Sequence, residues 1–263
     1  MGVEFLILTI YFICVIYVLY QMALSVEDKL EDQFAILLDG EGLQAAVNAQ
    51  LQQQTLYMAE AEMQTVEKFS LLKITFFEGD EAIGTIGVKV TPQGKRPLQP
   101  PIQTLSVSIA NTLPDQQVFL EWDRSAISVH GGSAQRVIRQ VPGNTTNLLP
   151  SQAPTTVNPG LQASVTVTAE SLFTRNDNQI ALEVGPALVD LAKIPGMKEP
   201  LRQYTLQTVL WVRSLIYPGS PALQLVLPFN FRIEVLPDRV ALPVLSWLLN
   251  FNPFALGTSA KSR

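Results

Sequence analysis

Thr104-Leu105-Ser106-Val107-Ser108-Ile109-Ala110-Asn111 alternates apolar with small or polar residues at every step. In a strand successive side chains point to opposite faces, so Leu105, Val107 and Ile109 share one face and the serines take the other. One dry face and one wet face is the pattern of an antiparallel sheet. The same signal recurs outward from this stretch. Gln117–Trp122 follows a Pro114-Asp115 turn, then come Ile127–His130 and Gln135–Arg139. Beyond a polar stretch from Pro142 to Pro159, Ala163–Thr168 alternates again. Tyr204–Val212 and Leu223–Val235 flank Tyr217-Pro218-Gly219-Ser220-Pro221, and Pro228 predicts an edge or a bulge in the second of them. Short strands with turn signals at this spacing predict a mainly β chain with an antiparallel β-sandwich over 104–236.

The strand ending in Asn111, the Pro114-Asp115 turn and the strand carrying Trp122-Asp123 resemble the opening of bacterial immunoglobulin-like domains. Asn158-Pro159-Gly160, entering the Val165–Val167 strand, resembles a second feature of that family. The resemblance spans about 105–235 and implies a sandwich with a binding or spacer role. A single cysteine excludes the disulfide-bonded version.

Upstream the character changes. No residue from Phe5 to Val26 is charged. Those 22 residues would make a helix of about 33 Å, against a hydrocarbon core of about 30 Å. A cleaved signal peptide would open with basic residues and carry a shorter apolar run. Met1-Gly2-Val3-Glu4 has no basic residue, and Ala23-Leu24-Ser25 is only a passable cleavage site. We therefore expect 5–26 to be a retained single-pass transmembrane helix, with Tyr11, Tyr17 and Tyr20 placing hydroxyls at an interface or on a neighbouring helix. The acidic cluster Glu27, Asp28, Glu31 and Asp32 would be repelled by an anionic leaflet, which points the body to the non-cytoplasmic side.

Residues 27–69 read as a helical neck, broken at Asp39-Gly40-Glu41-Gly42, with a seam at Leu56, Ala59, Met63 and Val66 that packs on this chain or on a partner, Met63 being the expected partner contact. Leu72–Phe77 and Ile83–Val90 predict a β-hairpin over 70–91, followed by a proline-rich linker over 92–103. Pro186–Lys193 reads as a short helix inside an insertion. The last segment, 237–263, is expected to be an apolar helix and tail. Its uncharged stretch Val240–Phe254 is too short to cross a bilayer, so Trp247, Leu248 and Phe251 are expected to touch membrane or a partner.

Composition narrows the function. Charged residues make up 16% of the chain, below the ~25% usual for soluble domains, and mean hydropathy is +0.21. Residues 1–68 hold ten acids against Lys29 and Lys68, and the whole chain carries −5, which argues against binding nucleic acid through bulk charge. One Cys and one His argue against thiolate or His-rich metal sites, so neither a metal nor a cofactor is expected. Glycine-rich phosphate loops and nucleophile elbows are missing from the sequence. Glu121 and Asp123, flanking Trp122, could do acid–base work, but a solvated strand face explains them better, and His130 beside Gly131-Gly132 reads as a loop residue. The expectation is a non-enzymatic, membrane-anchored accessory subunit that docks its sandwich onto an integral membrane protein complex. The alternative is a membrane-tethered envelope enzyme or ligand-binding module using Glu121 and Asp123.

Overall fold

The computed structural model describes residues 2–30, 34–54, 57–66, 69–92, 101–140, 151–175, 182–185 and 187–236. The chain divides into two compact units: Met1–Ala35 with Lys95–Leu98 and Val235–Arg263, and Ile36–Gly94 with Gln99–Glu234. In the first, the described helix is α1 (Gly2–Leu30), 29 residues long. Its described side chains run from Glu4 to Leu19, with Met22. Among the described residues no helix is long and apolar enough to cross a membrane. The spanning role expected for 5–26 is therefore not part of the observed fold.

The second unit is the β body. Its elements are β1 (Phe34–Leu38, which begins two residues before it), α2 (Gly40–Gln52), β2 (Met58–Val66), β3 (Phe69–Glu78), β4 (Glu81–Pro92), β5 (Leu105–Asn111) and β6 (Gln116–Val129). β7 (Gln135–Gln140), β8 (Thr155–Val157), β9 (Gln162–Ala169), β10 (Phe173–Arg175), β11 (Leu182–Val184), β12 (Gln203–Ser214) and β13 (Leu223–Val235) follow. One sheet runs in the order β1-β13-β12-β6-β7-β9-β5-β4-β3-β2, with β8 on β6, and β10 and β11 pair separately. β7 joins the two halves of the path, pairing antiparallel with β6 at Gln135 and Arg136 and with β9 from Val137 to Gln140. The sheet thus curls into a mainly antiparallel, sandwich-like body rather than the two separate sheets that the immunoglobulin-like resemblance implies. Alternation builds the core as expected. Leu105, Val107 and Ile109 of β5 lie buried with Leu120 and Trp122 of β6, and with Leu225, Leu227 and Phe229 of β13.

The helical neck over 27–69 is corrected. The glycine-rich break begins a helix rather than ending one, because the Asp39 carboxylate caps it by accepting from the Gly42 amide at 3.0 Å. Leu56 lies outside the described residues, and Ala59, Met63 and Val66 belong to β2. Ala, Glu, Met and Gln favour helix in isolation, but nine residues of β2 pair with β3, bury Ala61 and turn Glu60, Glu62 and Gln64 the other way. Tertiary pairing overrides propensity here.

α2 does more than cover the core. Leu43, Val47 and Leu51 point inward, while amide side chains on either flank dock onto strand edges. The Asn48 amide binds both the N–H (2.7 Å) and the C=O (2.9 Å) of Ala61 on β2, and Gln44 Oε1 accepts from the Met63 amide at 3.3 Å. On the opposite flank Gln50 binds both the N–H and the C=O of Val226 on β13, each at 2.8 Å, and Gln54, just past the end of the helix, donates to the Gln224 carbonyl at 3.2 Å. Strand-like hydrogen bonds from one helix thereby satisfy edges near both ends of the sheet. Pro228 shares the outward parity of Val226 and of Asn230, whose carbonyl accepts from the Asp39 amide, so its missing N–H removes no bond to β12.

The remaining expectations divide. The hairpin over 70–91 is present as β3 and β4, turning at Gly79 (φ +63), and it is continuous with the main sheet through β5. The helix expected at Pro186–Lys193 is instead a bridge between Val189 and Ile102, followed by a 3-10 turn, Leu191–Gly196, capped by Asp190. The stretches Gln117–Trp122 and Ile127–His130 belong to one long strand, β6, whose pairing with β12 shifts register between Gln207 and Val209. Ser125 bridges that irregularity, with its Oγ accepting from the Val209 amide and donating to the Glu121 carbonyl. Most of the linker (93–100) and the C-terminal segment (237–263) lie outside the described residues.

Candidate interaction surface

The ionisable residues singled out in the sequence are held in structural bonds. Glu121 Oε2 accepts from Trp211 Nε1 at 2.8 Å, and the Arg124 guanidinium lies 5.8 Å from the Trp211 ring centre. Asp123 accepts from Arg136 Nε at 3.1 Å, from the Gln152 backbone amide at 2.9 Å and from Gln152 Nε2 at 3.2 Å. Burial pushes the Asp123 carboxyl up, but hydrogen bonds from Arg136 and Gln152 outweigh it and hold the group below the ordinary carboxylate value. Gln152 also donates to the Val137 carbonyl and accepts from the Arg139 amide, filling the gap where β7 leaves β6. His130 adopts φ 55 in the turn after β6, and its Nδ1 bonds the Leu201 carbonyl at 2.8 Å. Among the described residues no group of three or more His, Cys, Asp or Glu could hold a metal ion.

Of the expected contact residues, Tyr11 (63%) and Tyr17 (61%) are exposed on α1. The side chain of Tyr20, and all of Trp247, Leu248 and Phe251, lie outside the described residues. Met63 is an internal contact: Gly40 of α2 sits so close that a Cβ there would stand 3.4 Å from its Cγ. Among its described side chains α1 exposes apolar groups on every side from Phe5 to Leu19. Phe5, Leu6, Ile7 and Leu8 are successive exposed positions, and Ile10 through Ile13 repeat the pattern.

A groove of about 670 Å³ opens on the β body itself. Two turns and the residue before β2 position it. The Pro114-Asp115 turn between β5 and β6 is tied down by the Leu215 amide, which donates to the Asp115 carbonyl at 2.8 Å. The β12–β13 loop is folded on itself, with the Ser220 amide and hydroxyl both donating to the Tyr217 carbonyl. Tyr57, just before β2, donates to the Pro221 carbonyl at 3.1 Å and meets Phe76 edge-on, ring centres 6.3 Å apart. The walls leave large apolar side chains in solvent: Met58 is 61% exposed, Ile216 62% and Tyr217 69%. Glu78 and Asp115 are the lining's charged residues, with no Lys or Arg among it. Gln116 is buried in the lining, and its Oε1 lacks a hydrogen-bond partner. Burial first, and then the Asp115 charge, raise the Tyr57 phenol above its ordinary value.

Sequence reasoning missed this groove. Its one linear signal is Leu215-Ile216-Tyr217, three apolar residues running straight into a Pro-Gly turn where alternation has stopped. Compared with family models, curated proteins and solved structures, the chain matches none.

Proposed function

We propose that this chain is a single-pass, membrane-anchored interaction subunit that holds a β-sandwich body against a larger membrane protein complex. The observation that carries the reading is the uninterrupted exposure of apolar side chains around α1, from Phe5 to Leu8 and again from Ile10 to Ile13. A helix that is apolar all round is stable in lipid or inside protein, not in water. The uncharged run continues in the sequence to Val26, a length suited to one crossing. The acidic residues that follow favour a body on the non-cytoplasmic side. Engagement of Glu121 and Asp123 by Trp211, Arg136 and Gln152 favours docking over carboxylate chemistry. The reading needs a β sandwich and does not depend on an immunoglobulin-like pedigree.

Alkaline carbonate extraction tests the tether. The chain should remain in the membrane pellet, and Ile10→Lys with Ile13→Lys should release a large fraction of it, since each lysine costs about 3 kcal/mol at the bilayer centre. Complete release of the unmodified chain refutes the proposal.

A further inference from the structure

The groove on the β body carries a statement about partner chemistry that its shape alone does not. Its apolar walls come from Met58, Phe77, Ile216 and Tyr217, so an occupant must contribute apolar surface. Its charge has one sign. Among the described residues neither Glu78 nor Asp115 pairs with a Lys or Arg, and Asp80 and Glu81 follow Glu78 in the adjoining turn. Arg213 precedes the lining residue Ser214, and strand alternation turns its side chain to the other face of β12. A negative, apolar-walled groove repels acidic segments and anionic headgroups and attracts cations. Tyr217 and Phe77 add aromatic rings that a guanidinium or ammonium group can lie against.

We infer that this groove is the docking site for a basic segment of a partner protein, a short stretch in which Lys or Arg alternates with large apolar side chains. The inference rests on the reading of the chain as an interaction subunit and gives the chemistry of one contact.

The test uses the full chain in neutral detergent and a fluorescein-labelled peptide, Arg-Leu-Arg-Leu-Arg, followed by anisotropy at low and high ionic strength. A Glu-Leu-Glu-Leu-Glu peptide is the charge control. The basic probe should bind and the acidic one should not. Glu78→Gln with Asp115→Asn should weaken binding about fivefold at low salt, an effect that shrinks as salt screens the groove. Tyr217→Ala should weaken it at both salts. Glu170→Gln with Glu199→Gln, the same charge change elsewhere, should leave it unchanged, and melting curves of all variants establish that they fold. Binding that ignores Glu78, Asp115 and Tyr217, or equal binding of the two peptides, overturns the inference. So does a double variant that alters sedimentation of the chain while probe binding stays constant, which would make the groove a self-association surface. Because the measurement is made in detergent, it can fail while carbonate extraction succeeds, and the reverse.

Discussion

Gln50 is the residue whose replacement tests the architecture most directly. It stands on the exposed-looking flank of a helix, yet its side chain makes both hydrogen bonds that a neighbouring strand would make to Val226, each 2.8 Å long. Gln50→Ala removes both and leaves a part-buried backbone N–H and C=O unpaired. At about 1 kcal/mol net per hydrogen bond the loss is about 2 kcal/mol, or a fall in Tm of about 4–8 °C for a body of this size. Gln52, two positions on, is exposed, and Gln52→Ala should shift Tm by less than about 1 °C, within the range of surface changes. Gln50→Glu separates the two bonds. The carboxylate still accepts from the Val226 amide but presents negative charge to the Val226 carbonyl, so this near-isosteric change should cost more than alanine. Thermal melts of the full chain in detergent give the ranking, and amide exchange at Val226 should accelerate in Gln50→Ala, which alone removes the acceptor of that N–H. Equal Tm values for the Gln50 and Gln52 alanine variants would refute the reasoning, as would a glutamate variant more stable than the alanine one.

Two further outcomes follow from a hydrogen-bonded carboxylate and a buried phenol. Asp123 has its folded-state pKa lowered, so its stabilisation is complete above the unfolded carboxylate value near 4 and is lost as pH falls through the lower folded value. Acid unfolding of Asp123→Asn should show a shallower loss of stability below pH ~4 than the parent, and parallel curves would count against the role given to Arg136 and Gln152. Tyr204 is fully buried, stacked on Phe231 at 4.7 Å, and its hydroxyl lacks a hydrogen-bond partner. Burial raises its phenol pKa. Tyr204→Phe should keep the stacking and raise stability by about 1 kcal/mol, seen as a higher denaturant midpoint; a lower midpoint would mean the hydroxyl is bonded in solution.

Alternation made the body legible. Leu105–Asn111 and Leu223–Val235 state their inward faces in the order of their letters, and the structure buries those faces, whereas Ala163–Thr168 is at most half-buried until Val167 and Thr168, which are both buried. β2 was illegible because its strand character comes from nine pairings with β3, a property of the neighbour and not of Met58–Val66. The amides of α2 were illegible for a related reason. A glutamine that completes a strand edge has no periodic signature and looks the same in sequence as a solvated one. The carboxylates Glu121 and Asp123 stood out as a pair, but Trp211, the indole that engages Glu121, lies 90 positions downstream. The groove draws on turns far apart in sequence, so only its Leu215–Tyr217 apolar run left a trace.

Closure by α2 also orders events in time. Gln50 and Val226 are 176 residues apart, so a helix translated early has to wait for a strand translated near the end. During synthesis at about 5–20 residues per second, the flank of α2 that carries Gln50 has no strand to bind for roughly ten to thirty seconds. A chaperone, or a neighbouring polypeptide with a strand to offer, has that interval in which to act and no later one.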